Sequence, residues 1–250
     1  MFHLVGFSES QDEGGVMTRM TAIPDQSIRA IGDTITIGEL NQLIGEFACL
    51  GSTGDEARLI SPSLRRVNPL SITPVEQALN PQPDPASMFH PDSPIPLMTN
   101  EALEAENNAD PAAAEQHTIL AWLADGVQAA VSGHIYTVNC TCTLAKVAGL
   151  WVFSELTFPD SLPVGRYSVV GARAEVSNGI AFRFVPVGAA HRPGSICVGL
   201  PNGRDLHSAR YGRLGRWFDF DVVQPPGIEI LSSAAGASAT YDIFIDLLEA

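Results

Sequence analysis

The run Thr240-Tyr-Asp-Ile-Phe-Ile-Asp-Leu-Leu248 places Tyr241, Ile243, Ile245 and Leu247 at a spacing of two, with Asp242 and Asp246 between them. A helix would scatter that apolar set around its circumference. An extended strand gathers it on one face and leaves the carboxylates on the other. Working back toward His134, the same reading gives seven more short runs: His134–Cys142, Leu150–Phe158, Gly165–Val176, Ile180–Val187, Ser195–Leu200, Leu214–Val223 and Gly227–Ser233. Turn formers separate them, and Ser177-Asn178-Gly179 is a tight hairpin signal. Residues 131–250 are therefore expected to fold as an all-β sandwich.

Residues 1–130 read as an irregular half. The first 30 residues are polar and carry no sustained period, which predicts an arm. Thr36 and Glu39 have capping-box spacing, and Leu40, Leu43, Ile44 and Phe47 follow at helical intervals, predicting a short helix over Gly38–Leu50. Asp110-Pro111 followed by Ile119, Trp122 and Leu123 predicts a second, over Pro111–Ala124. Between them, prolines at 69, 74, 81, 83, 85, 91, 94 and 96 exclude helix and central strand and predict an extended segment. Eight antiparallel strands after such a lead-in are the layout of a jelly-roll sandwich.

The chain has 250 residues, with 28 acidic against 14 basic residues and a net charge of −14, so it offers no general attraction for nucleic acid or anionic lipid. Lys146 is its only lysine. Arginine suits interfaces, through its planar fork and its stacking on aromatics, while lysine is depleted there; a GC-rich genome, which favours arginine and alanine codons, is the other reading of the same bias. Four cysteines, Cys49, Cys140, Cys142 and Cys197, are too few for a disulfide scaffold and lack zinc-site spacing; they read as buried thiols. Neither a cationic leader nor an apolar run of membrane length is seen, so synthesis in the cytoplasm without a signal peptide is expected.

No Gly-x-Ser-x-Gly, His-Glu-x-x-His, phosphate loop or dinucleotide fingerprint occurs, and no catalytic residue or cofactor is expected. Asp219 and Asp221 share a strand face and, with Glu229, are the weak candidates for a cation or for acid–base work; a solvated strand face is the plainer reading. The cationic stretch Arg204, Arg210, Tyr211, Arg213, Arg216 and Trp217 combines guanidiniums with aromatics. That pattern suits a phosphate backbone or a subunit interface, and the excess of acids favours the interface. Pro81, Pro83 and Pro85 belong to the same expectation, as a segment laid across a neighbouring subunit.

This plan, an irregular proline-rich half and then eight strands running to Ala250, resembles the single jelly-roll coat proteins of icosahedral viruses, including tailless bacteriophages. The resemblance implies a virion structural protein that self-assembles into trimeric, pentameric or hexameric capsomers, with other virion proteins as further partners and only weak or indirect contact with nucleic acid. Residues 1–28 hold one base, Arg19, against four acids, unlike the basic arm many small RNA-virus coats use on their genome. A carbohydrate- or receptor-binding sandwich is the alternative, with Trp151, Trp217, Tyr167 and Tyr211 as stacking residues. A metal-dependent jelly-roll enzyme using Asp219 and Asp221 is the second.

Overall fold

The computed structural model describes residues 1–10, 14–51, 55–64, 70–76, 89–109, 116–159, 161–197 and 210–249, and every regular element among them is a strand. Leu4–Gly126 forms one compact unit; Val127–Ala250 with Met1–His3 forms the other. The first eleven strands are β1 (Phe2–Glu9), β2 (Thr18–Arg19), β3 (Arg29–Ile31), β4 (Thr34–Thr36), β5 (Gln42–Leu50), β6 (Ala57–Ile60), β7 (Leu70–Ile72), β8 (Val75–Glu76), β9 (Ile95–Pro96), β10 (Ala102–Asn107) and β11 (His117–Ala124). The remaining eight are β12 (Ile135–Lys146), β13 (Trp151–Glu155), β14 (Arg166–Glu175), β15 (Gly179–Val185), β16 (Gly194–Ile196), β17 (Phe218–Asp221), β18 (Gly227–Ser232) and β19 (Gly236–Glu249).

Both predicted helices are strands instead. The span Gly38–Leu50 holds β5, and the described part of Pro111–Ala124 holds β11. Thr36 closes β4, Gly38 has a φ of 61°, and Leu40 N donates to Ile37 O, so the apparent capping box is a tight turn. The helical spacing misleads because β5 and β11 are inner strands with both faces largely covered. Such a strand shows a nearly continuous apolar run, in which a helical subset can always be found. The irregular-arm reading of residues 1–30 also falls, since β1 begins at Phe2 and its residues are buried.

The first half has a core of its own. Val5, Phe7, Met20, Ile35, Ile37, Leu43, Leu59, Leu103, Ile119 and Leu123 are among the residues of one buried cluster. Apart from Met20 and Ile37, which directly follow β2 and β4, they come from two sheets, β1-β11-β5-β8 with β9 on β5, and β3-β4-β10-β6-β7 with β2 on β10. The described end of the proline segment lies along this unit's own β5, where Gln42 pairs Pro96 and Leu43 pairs Ile95.

The C-terminal unit holds two four-stranded antiparallel sheets, β12-β19-β14-β17 and β13-β18-β15-β16. As the alternation at 240–248 requires, Tyr241, Ile243, Ile245 and Leu247 are buried, while Asp242 is exposed on the opposite face. Cys140, Cys142 and Leu144 of β12 are buried with them. A chain of rings runs through the interior: Phe182 to Phe184 at 5.8 Å, Phe184 to Phe218 at 5.3 Å, Phe218 to Phe220 at 6.3 Å and Phe220 to Tyr167 at 6.1 Å. Trp217 meets Phe184 at 6.0 Å and Phe2 at 5.3 Å, and these distances lie within the favourable range for aromatic pairs.

The two units share one wiring. In the C-terminal unit the first strand pairs the last and the rest follow inward: β12 with β19, β13 with β18, β14 with β17, β15 with β16. Two further pairings, β14 with β19 and β15 with β18, complete the sheets. In the N-terminal unit β1 pairs β11, β4 pairs β10, β5 pairs β9 and β6 pairs β7. Here β5 with β11 and β6 with β10 complete the sheets. Set aside β2, β3 and β8, and the pairing diagrams are identical.

Candidate functional site

The described part of the predicted cationic stretch is a strap across the outer face of the β12-β19-β14-β17 sheet. Arg210 is buried there, and its Nε and Nη2 donate to Asp246 Oδ2 and Oδ1 at 2.7 and 2.9 Å. Thr137 Oγ1 donates to Oδ1 at 2.7 Å and Tyr211 N to Oδ2 at 3.0 Å, so the fully buried carboxylate accepts four hydrogen bonds. Gly212 N donates to Val170 O and Trp217 N to Val169 O, fixing the strap to β14. A Cβ on Gly171 would stand 2.8 Å from Arg210 Cα, so glycine is what lets the strap lie so close.

This arrangement redistributes the predicted interface residues. Arg210 serves its own fold, and Trp217 is fully buried against Phe2 and Phe184. Tyr211 (φ 55°) and Arg213 are exposed. Arg216, about half exposed, donates from Nε to Ser168 Oγ and to Asp219 Oδ1 at 2.7 Å. Arg204, Pro81, Pro83 and Pro85 lie outside the described residues.

The acidic candidates do not converge. Asp219 is shared by Arg166 at 3.2 Å, Arg216 at 2.7 Å and the Ser168 hydroxyl at 2.8 Å. Asp221 is exposed and accepts Val223 N at 3.0 Å. Glu229 lies on the other sheet, where it joins Arg183 at 2.6 Å and Arg192 at 2.5 Å. Arg183 stands over the Trp151 ring at 4.3 Å, while Arg192 N donates to His3 Nδ1 at 3.2 Å. This second buried cluster was legible only as charges inside apolar runs, Phe182-Arg183-Phe184 and Ile228-Glu229-Ile230. A charge in such a run is retained only where a partner meets it.

Both clusters therefore pin loops to sheet faces. The thiols are equally withdrawn: burial pushes Cys140 and Cys142 up to about 12 and raises Cys197 as well. Among the described residues no three His, Cys, Asp or Glu side chains are grouped to hold a metal ion. Of the four stacking candidates, Trp217 and Tyr167 are buried and Trp151 is half-buried against Arg183, leaving Tyr211 exposed.

Lys146 is buried too. Its ammonium donates to the carbonyl and hydroxyl of Ser177 and lies 5.4 Å from the Tyr241 ring centre. Because it is the sole lysine, the exterior carries no lysine ammonium. Among the described residues no helix is long and apolar enough to cross a membrane. No family model, no curated protein and no solved structure matches this chain.

Proposed function

We propose that this chain is a virion structural protein, a coat or shell component that works by self-assembly and is built from two jelly rolls in tandem. First-with-last pairing, repeated inward, is a hairpin ribbon of four strand pairs wound into a sandwich, and that is the jelly-roll scheme. On this reading both halves are jelly rolls, in place of an arm followed by a single roll. Jelly rolls also serve lectins and metal enzymes, so the fold alone does not choose.

The observation that carries the choice is the exterior without lysine. A solvated monomer surface is ordinarily kept apart from its neighbours by ammonium groups, and lysine is the residue that interfaces shed. The chain has 28 acidic residues against 13 arginines and one lysine that is buried, the composition of a surface that is largely covered by other copies. On this reading the partners are further copies, as trimers, pentamers or hexamers, with other virion proteins beside them. The chain is made in the host cytoplasm and resides in the virion.

Size-exclusion chromatography with light scattering, followed by negative-stain imaging of concentrated protein, tests the proposal. Closed shells, rings or sheets are expected. A monodisperse monomer at every concentration and ionic strength tried overturns it, and specific binding on a glycan array by that monomer would establish the carbohydrate-binding alternative.

A further inference from the structure

The segment Phe89–Leu97 closes the edge of β5. Phe89 bridges Gly45, His90 N donates to Ile44 O at 2.8 Å, Ile95 and Pro96 pair Leu43 and Gln42, and Leu97 N donates to Asn41 O at 2.8 Å. Phe89 is buried with its ring edge-on to Trp122 at 5.0 Å. Three prolines, Pro91, Pro94 and Pro96, leave this strap few backbone donors of its own. Beneath it lies Gln42-Leu-Ile-Gly-Glu-Phe-Ala-Cys-Leu50, a long apolar strand whose edge, once open, is a template for a strand from another chain.

One charged contact holds the strap's first turn. His90 Nε2 is 2.7 Å from Glu46 Oε2, with both side chains mostly covered, and His90 Nδ1 is 3.3 Å from Ser93 O. Ser93 N in turn donates to His90 O at 3.0 Å. Glu46 is the carboxylate that β5 presents to the ring; the strap's own turn presents the Ser93 carbonyl and exposed Asp92; Ala121 of β11, uncharged, pairs Glu46 from the far side.

We infer that His90 and Glu46 form a proton-operated latch, which holds the Phe89–Leu97 strap on β5 while the imidazole is charged and loosens it when the proton leaves. The hydrogen bond that His90 donates to Glu46 raises the His90 pKa above its ordinary value, against the opposing pull of burial. The sign follows. A raised folded-state pKa gives stabilisation that is complete below the unfolded histidine's titration and is lost as pH rises through the folded one. The latch therefore opens on the alkaline side. This inference is independent of the shell reading.

Amide hydrogen exchange of the intact chain tests it, read on peptides covering residues 89–97 and, as a reference, 118–123, with intrinsic rates divided out. Between pH 6 and pH 9 the protection of 89–97 is expected to fall roughly tenfold, the scale of a charged hydrogen bond, while 118–123 is unchanged. In His90→Gln and in Glu46→Gln the strap should show the lower protection at both pH values; either variant suffices if the other fails to fold. Equal protection of 89–97 at both pH values, a fall that survives in the variants, or an equal loss at 118–123 overturns the latch.

Discussion

Removing the Asp246 carboxylate should be among the most damaging single changes in the C-terminal unit. The side chain is fully buried and accepts from Arg210 twice, from Thr137 and from Tyr211 N. In Asp246→Ala the Arg210 guanidinium stays under the strap without its counter-charge, and breaking a buried pair in this way costs about 3–5 kcal/mol. With a urea m-value of about 2 kcal/mol/M, the midpoint of the unit should drop by roughly 2 M. Intrinsic fluorescence reports the transition, because Trp151 and Trp217 both lie in this unit. The double variant Arg210→Met with Asp246→Ala discriminates between mechanisms. If the damage comes from an uncompensated charge, removing both partners recovers most of the loss. A cost under about 1 kcal/mol for Asp246→Ala, the ordinary surface-pair value, would refute the assignment of this pair as the staple of the strap. Additive losses in the double variant would refute it too.

Three further outcomes are expected. Glu101 is buried and accepts Ser63 N at 3.1 Å, Ser63 Oγ at 2.6 Å and Met98 N at 2.8 Å; burial alone would raise its pKa, but these bonds and that from Ser61 together hold it below the ordinary value. Its stabilisation is present above the unfolded carboxyl's titration and lost as pH falls through the folded one, so urea midpoints of Glu101→Gln and the parent should differ at pH 7 and converge in acid. An amine-reactive ester should label the folded chain at its N-terminus and reach Lys146 only after denaturation, and iodoacetamide should likewise spare Cys140 and Cys142; peptide mapping checks both. Phe2→Ala should destabilise the C-terminal unit by about 3–5 kcal/mol, seen in the same fluorescence transition, because its ring packs on Trp217.

How much of this was legible depends on where a strand lies in its sheet. At 240–248 one face is apolar and the other polar, and the alternation is plain in the sequence. All eight expected runs of the C-terminal half contain a strand, although Leu214–Val223 is strand only over Phe218–Asp221, because its start is the strap that crosses β14. In the N-terminal half, Leu43-Ile44 and Ile119-Leu120 put apolar groups on both faces of inner strands, so no period of two remains. The candidate site was legible in its residue types but not in its use. Arg210, Arg216 and Trp217 stand together in one cationic stretch, and Asp219 lies only three residues from Arg216; but Asp246 and Phe2 are remote in sequence, and only the placing of β19 and of the chain's first residues brings them there.

The same contrast hides the repeated wiring from the sequence. Pairing order constrains where strands lie and how long the connections between them are; it does not constrain which residues fill them. The N-terminal unit fills its inner strands with aliphatics and leaves Glu104 and Glu106 of β10 to Arg19 and Arg58 at the surface. The C-terminal unit fills its interior with rings and buries its acid–arginine pairs beneath loops. One wiring thus carries two different distributions of charge, with the C-terminal unit alone burying arginine–carboxylate pairs among the described residues. If the exterior is the surface that assembles, the N-terminal unit's pairs at Arg19 and Arg58 are salt-sensitive, while the C-terminal unit's pairs at Asp246 and Glu229 are shielded. Rising ionic strength should then weaken Arg19 and Arg58 contacts first, so Arg58→Gln should abolish most of the salt dependence of the N-terminal unit's stability. An unchanged salt dependence in that variant would place the exposed electrostatics elsewhere.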